Sequence, residues 1–310
     1  MMGRTGAAKA SKSGLDEVGG AEVGARSAAH RRLSINQATI KYASLEDALR
    51  VTAAAGVQSI GLWRESVAEV GLSEAVARVS DSGLRVSSLC RGGFFTAVEG
   101  AARRASIDEN RRAIDETATL AAAGADGSAA VLVLVAGGLP AGSTDLPGAR
   151  QRVRDAVAEL EPEARASGVT LALEPLHPMY AADRAVLSTL GQALDVAAEF
   201  PAESVGVVVD TFHVWWDPQV IEQIARAGAE GRIASFQVCD WVTPLPQDVL
   251  LARGMMGDGH IDFGPLSRAV TAAGYIGDIE VEIFNQAIWD ADPAAVVART
   301  VRAFAESVTL

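Results

Sequence analysis

Lysine is almost missing from this sequence: Lys9, Lys12 and Lys41 are the only three in 310 residues, so Schiff-base chemistry has next to no candidate nucleophile. Cysteine is scarcer still. Cys90 and Cys239 lie far apart with no CxxC spacing, which suits free buried thiols in a reducing cytoplasm and excludes a disulfide framework. Positive charge is outweighed as well: the formal net charge is −12, a repulsive field for a nucleic-acid backbone, so no nucleic-acid partner is expected. The longest apolar run, Ala129 to Ala136, falls far short of the roughly 20 residues that cross a bilayer, so no membrane span is expected. There is no GxGxxG and no Walker sequence to cradle a phosphate.

What is present is a chain that is 49% hydrophobic and 21% charged, enough to bury a large core. Its length suits one (β/α)₈ barrel, typically about 250 residues, or two ordinary domains. Residues 1 to 32, rich in Ala, Gly and Ser and lacking a continuous apolar stretch, read as a disordered tail, and residues 33–310 as one domain. From Leu33 onward short apolar runs alternate with longer amphipathic segments, the pattern of repeated βα units. Eight strand candidates can be counted: Leu33–Ile40, Val57–Leu62, Arg85–Cys90, Ala130–Ala136, Thr170–Glu174, Val205–Asp210, Ile233–Asp240 and Asp278–Ile283. Between them lie helical stretches that include Ser44–Ala55, Ser73–Ser82, Ile107–Ala123, Ala149–Ala166, Ala185–Ala198, Gln219–Ala229 and Pro265–Ala273. Gly56, Gly83, Gly124, Gly168 and Gly274 stand where C-terminal caps belong. Ser44 with Asp47, and Ser106 with Glu109, have capping-box spacing. The absence of a phosphate-binding fingerprint favours a closed α/β TIM barrel over an open doubly wound sheet.

In such a barrel the active site forms at the C-terminal ends of the strands. Four polar residues interrupt or end the apolar runs there: Glu174, Asp210, Gln237 and Glu282. A buried ionised carboxylate costs several kcal/mol unless a cation or a partner compensates it. Taken singly, each could cap a helix or pair with an arginine. Taken together, three carboxylates and an amide oxygen suit one hard divalent metal: Mn²⁺ first, with Mg²⁺ or Co²⁺ as substitutes. His177 and His213 each follow an acidic residue by three positions, and His260 lies on the long loop after strand seven. Imidazoles there can exchange protons or hydrogen-bond sugar hydroxyls. Aromatic residues gather at the same rim, Trp63, Phe94, Phe95, Trp215, Trp216 and Trp241, in a chain with only 5% aromatics, which argues for a pocket that stacks sugar or planar rings. Arg91 and Arg253 are candidate anion or hydroxyl binders. Glu280 shares a strand face with Glu282, and alternation alone leaves the choice between them open.

These residues resemble the sugar phosphate isomerase/epimerase superfamily, the xylose isomerase-like TIM barrels, from Leu33 to about Ala305. The resemblance implies that Glu174, Asp210, Gln237 and Glu282 hold a divalent metal; many members place histidine where this chain has Gln237. Glu174-Pro-Leu-His-Pro-Met-Tyr180, Ala182-Asp-Arg-Ala185 and Phe236-Gln-Val-Cys-Asp240 look more like the α-subunits of bacterial C-glycoside deglycosidases. That likeness implies a metal-dependent carbon–carbon lyase acting on 3-oxo glycosides, with His177 as base, Glu174 and Glu282 in the catalytic set, and a small β-subunit as partner. His213, Trp63, Trp216, Arg253 and His260 would contact the substrate. The alternative is a sugar isomerase or epimerase acting on a free ketose or a hydroxypyruvate-like compound, with Glu174 and Glu282 moving the proton. An endonuclease of the related apurinic-site type would need many histidines and a basic face. A sugar-binding barrel without chemistry would not need the four ligands.

Overall fold

The computed structural model describes residues 31–98 and 100–308, so all but the last two residues of the expected tail lie outside it. Arg32, expected in that tail, belongs to the folded domain. Its guanidinium donates to the carbonyls of Gly277 (2.7 Å) and Tyr275 (3.0 Å) and lies over the Tyr275 ring.

Eight parallel strands close into a barrel in chain order: β1 (Leu33–Asn36), β2 (Ser59–Trp63), β3 (Arg85–Gly93), β4 (Val131–Val135), β5 (Thr170–Glu174), β6 (Val205–Asp210), β7 (Ile233–Val238) and β8 (Ile279–Val281). The ring is completed where Leu33 of β1 pairs with Ile279 of β8. Alternation along each strand sends one set of side chains outward and the other into the lumen. Outward residues such as Leu33, Ile35, Leu132, Leu134, Phe236 and Val238 join the large core under the helices. The lumen divides in two. Cys90, Val131, Val133, Ala172 and Val208 form a small apolar cluster on its β3–β6 side. Ser34, Asn36, Ser88, Ser235, Gln237 and Glu280, also buried, make the remainder polar.

Several boundaries differ from those expected of the sequence, for local reasons. The first strand stops at Asn36, whose Oδ1 accepts from Ala38 N (3.0 Å) and turns Gln37–Ile40 into a 3₁₀ helix. The segment expected to be helical from Ala185 is extended until Thr189. Its apolar Ala185-Val186-Leu187 is buried because it runs between the segments that follow β4 and β5, Val186 N donating to Gly137 O and Leu176 N to Leu187 O. The helix begins only at Leu190, capped by Thr189. The third helical stretch starts at Ala101, not Ser106, and Ser106 instead donates to the carbonyls of Gly93 and Phe94. Ser44 caps Leu45–Ala54 as expected, its Oγ accepting from Asp47 N. Of the five cap glycines, Gly124 alone is extended, with φ −71°. A final helix, Pro293–Ser307, closes the ring, and sequence patterning did not single it out. Among the described residues no helix is long and apolar enough to cross a membrane.

The end of β3 is fixed by the long helix outside it. Asn110, on Ala101–Ala123, accepts from Gly93 N (2.7 Å) and donates to Gly93 O (2.9 Å). Gly93 has φ 111°, and a Cβ there would run into the carbonyl of Val135 on β4. Replacing Gly93 with Ala should therefore cost about 2–4 kcal/mol of stability, read from the urea midpoint of the purified variant; a loss below about 0.5 kcal/mol would contradict this close-approach role.

Candidate active site

The barrel brings its acidic residues to one end. Glu174 ends β5, Asp210 ends β6, Gln237 lies opposite Asp210 on β7, and Glu282 follows the last residue of β8; all four are buried. Burial pushes the carboxyls of Glu174 and Asp210 up, and for Glu174 the neighbouring Glu282 and Asp210 charges push further. Glu282 is pushed up to about 7, chiefly by burial, with Asp210 and Glu280 adding and Arg253 opposing.

Both local alternatives for a lone carboxylate are realised at Asp210. Its Oδ1 accepts from Phe212 N (2.8 Å), capping the short helix Thr211–Val214, and its Oδ2 pairs with Arg253 Nη1 (2.9 Å). Arg253 is the largest fully buried side chain. The same Nη1 reaches Glu282 Oε2 (2.9 Å), Nη2 lies 2.9 Å from His213 Nε2, and Nε has no partner. The guanidinium sits between the rings of Phe212 and Phe284, 4.7 and 5.1 Å from their centroids. Burial disfavours its charge, but the surrounding acids outweigh that and hold it cationic.

Arg253 arrives on a loop organised by Asp240. That carboxylate accepts from four backbone amides, those of Trp241 (2.8 Å), Gly257 (2.9 Å), Gly259 (2.8 Å) and Ile261 (2.9 Å). A two-stranded ribbon, Asp240–Trp241 against Arg253–Gly254, then points the arginine inward. The loop is also tied across the barrel mouth, because Arg184 pairs with Asp248 (3.2 Å).

Below the pair lies a cavity of about 100 Å³ lined by Trp63, Glu174, His213, Arg253, Glu282 and Phe284, among others. It shares Trp63, Arg91, Arg184, Leu250 and Phe284 with an outer chamber of about 520 Å³. The candidate residues thus separate. Trp63, Glu174, His213, Arg253 and Glu282 come together. His177 does not line the cavity; its ring packs against Trp216 and Trp241 at 5.4 and 5.1 Å, and its Nδ1 accepts from Met179 N. Trp216 is used by its own turn, Nε1 donating to His213 O, and His260 meets Thr243 Oγ1 at 2.9 Å on an exposed loop. Phe284 and Arg184 are wall residues whose part in the cavity sequence patterning did not single out. Glu280 and Glu282 separate by depth: Glu280 lies one layer down in the lumen, accepting from Asn36 Nδ2 (2.9 Å), beside Gly61, where any Cβ would strike its carboxylate.

A divalent cation fits this donor set. Single ligand atoms of Glu174, Asp210 and His213 lie within 4.8 Å of one another. Both side-chain atoms of Gln237 are buried without a partner, leaving an oxygen donor unused beside them. Glu282 is not in the group of three and is tied to Arg253.

The closed barrel, with its acidic C-terminal mouth, defines the class, and the chain belongs to the family of xylose isomerase-like TIM barrels, whose pattern it matches over residues 49–307. The crystallised protein SMc04130 of Sinorhizobium meliloti 1021 is 47% identical and superposes with a TM-score of 0.84, over 90% of this chain and 99% of that one. A structure of the IolI protein with a bound zinc atom shares the fold at 20% identity, with a TM-score of 0.74 over 89% of this chain and 98% of that one. L-Ribulose 3-epimerase of Mesorhizobium japonicum is 29% identical over 135 residues; the match spans 44% of this chain and 41% of the epimerase.

The raised carboxyls give stability a definite pH slope. A carboxyl whose folded value lies above its unfolded value of about 4.3 contributes stability that is full below that value and lost as pH rises through the folded value. With Glu282 at about 7, the melting temperature of EDTA-treated protein should fall between pH 5 and pH 8, and Glu282→Gln should flatten that fall. Burial also lowers His177 and His213, whose contribution rises with pH below about 6.5, so the contradicting result is a Glu282→Gln profile that falls as steeply as the parent's. Asp240→Ala, which orphans four amides, should cost about 2–4 kcal/mol in urea unfolding; a variant as stable as the parent would show that the loop is held by other means.

Proposed function

We propose that this chain is a divalent-metal-dependent epimerase or isomerase of a ketose, moving the proton beside the sugar's carbonyl. The observation that carries the reading is that Glu174 and Glu282, three strands apart around the mouth, line one cavity with both carboxyls pushed above the usual carboxylate range. A base of raised value can take a proton near neutral pH and give it back. Two such groups on opposite sides of a substrate carbon can remove a proton from one face and return it to the other, which inverts the centre. Arg253 lies in the same wall and would orient the sugar's oxygens, while Trp63 and Phe284 offer faces to its C–H edges. Glu174, Asp210 and His213, with the Gln237 amide oxygen, would hold the cation. When bound, that cation supplies Lewis-acid polarisation of the carbonyl, and the oxygen-rich donor set suits Mn²⁺.

Two findings favour this over cleavage of 3-oxo C-glycosides, the reading that sequence motifs alone favour. The relative matched in part is named as an epimerase. His177, the base that cleavage would use, has its ring packed between two tryptophans instead of lining the cavity. One observation keeps lyase chemistry with a small β-subunit as the second reading: the outer chamber of about 520 Å³ exceeds what a free hexose fills.

Mn²⁺-loaded protein incubated in D₂O with L-ribulose or D-fructose should incorporate deuterium beside the carbonyl and form the epimer by proton NMR. EDTA should abolish this, and Glu174→Gln or Glu282→Gln should each lower the rate about 10²–10⁴-fold. Aglycone release from a 3-oxo C-glucoside, with no exchange into either ketose, would overturn the epimerase in favour of the lyase.

A further inference from the structure

Three buried carboxylates at the barrel mouth meet one buried cation, Arg253, and two of the groups it contacts, Asp210 and His213, are among those that would hold a metal. Nη1 lies 2.9 Å from both Asp210 Oδ2 and Glu282 Oε2, and Nη2 lies 2.9 Å from His213 Nε2. Charge alone does not hold the guanidinium there. It is stacked between Phe212 and Phe284, touches Cys239 Sγ at 3.7 Å, and its backbone carbonyl accepts from Asn285 Nδ2 (2.9 Å). Its position is therefore set by packing and by the loop ribbon. A dication entering the centre would have to share Asp210 and His213 with a resident positive charge instead of displacing it freely.

His213 carries an independent sign of this competition. Its Nδ1 faces the backbone N–H of His177 (3.2 Å) and its Nε2 faces Arg253 Nη2 (2.9 Å). A neutral imidazole has one nitrogen that accepts, so it can satisfy only one of these two donors. The nitrogen in reach of Glu174 and Asp210 is thus contested by the arginine.

We infer that Arg253 is an in-built cation of the centre which competes with a divalent metal for Asp210 and His213, so that the chain itself limits its metal affinity. This rests on the proposed metal dependence. The centre then holds its metal exchangeably, and Asp210 and Glu282 stay partly compensated whichever cation is present.

Mn²⁺ titration by calorimetry tests this on the full chain, comparing the parent with Arg253→Gln and Arg253→Lys. Removing a unit charge this close to the ligands should tighten Mn²⁺ binding of Arg253→Gln about tenfold or more, while Arg253→Lys stays near the parent. The melting temperature in EDTA should drop for the glutamine variant, and Mn²⁺ should raise it by more than it raises the parent's. Should Arg253→Gln not fold without metal, protein prepared in Mn²⁺ gives the same comparison through the rate of metal transfer to a fluorescent chelator, which should be slower than for the parent. Binding as weak as the parent's or weaker, or faster release, would overturn the inference. A parent that binds Mn²⁺ but exchanges no ketose proton fails the functional reading alone; one that exchanges protons, with equal affinities across the variants, fails this inference alone.

Discussion

Three carboxylates buried at one end of a parallel barrel are the constraint around which this molecule is arranged. Glu174, Asp210 and Glu282 are carried there by strands whose apolar sides have no alternative to burial, and each would be costly to ionise unpaired. Arg253 is the nearest compensation, and a long chain of structure exists to deliver it. Asp240 gathers four amides, the amides fold the loop, and the ribbon aims the guanidinium between two phenyl faces. A defect at Asp240 would reach the centre even though Asp240 itself does not line the cavity.

The same constraint recurs one layer deeper with a different solution. Glu280 shares a strand face with Glu282, yet it is answered by neutral groups: Asn36 donates to it, and Asn36 Oδ1 in turn accepts from Trp63 Nε1 at 2.7 Å. Burial raises its carboxyl, while Asn36 and the Ser87 and Ser88 hydroxyls oppose the rise. The chain of bonds ends on Trp63, which lines both the inner cavity and the outer chamber. The polar half of the lumen therefore supports the aromatic wall of the pocket from below.

Much of this was legible in the sequence, and what was not has identifiable causes. Strand ends could be read because an acidic residue that closes an apolar run, as in Val205-Gly-Val-Val-Val-Asp210, is too costly to bury in a barrel unless the mouth compensates it. Helix starts were less legible. Ser106 has the spacing of a cap but serves the end of β3, and Ala185–Leu187 is buried between the segments that follow β4 and β5, a tertiary fact that periodicity does not encode. Arg253 was singled out for the sugar, but its ion pairs depend on a turn built by a residue thirteen positions earlier. Histidine spacing places His177 and His213 alike, each three residues beyond an acidic strand end. The helix capped by Asp210 turns only His213 inward, while His177, N-terminal to a 3₁₀ turn, packs against two tryptophans.

Charge accounting ties these features together. With Glu174, Asp210 and Glu282 ionised, His213 neutral and Arg253 cationic, this inner cluster is left with an excess of negative charge that a divalent cation would offset, and Arg91 in the cavity wall offsets part of it. Gln237 is consistent with that excess: its amide adds an oxygen donor but no charge, and neither its Oε1 nor its Nε2 has a hydrogen-bond partner. The raised carboxyls are first a consequence of burial, with neighbouring acids adding for Glu174 and Glu282 and Arg253 opposing. Proton uptake and metal affinity at this centre thus draw on the same buried carboxylates, and Arg253 opposes both.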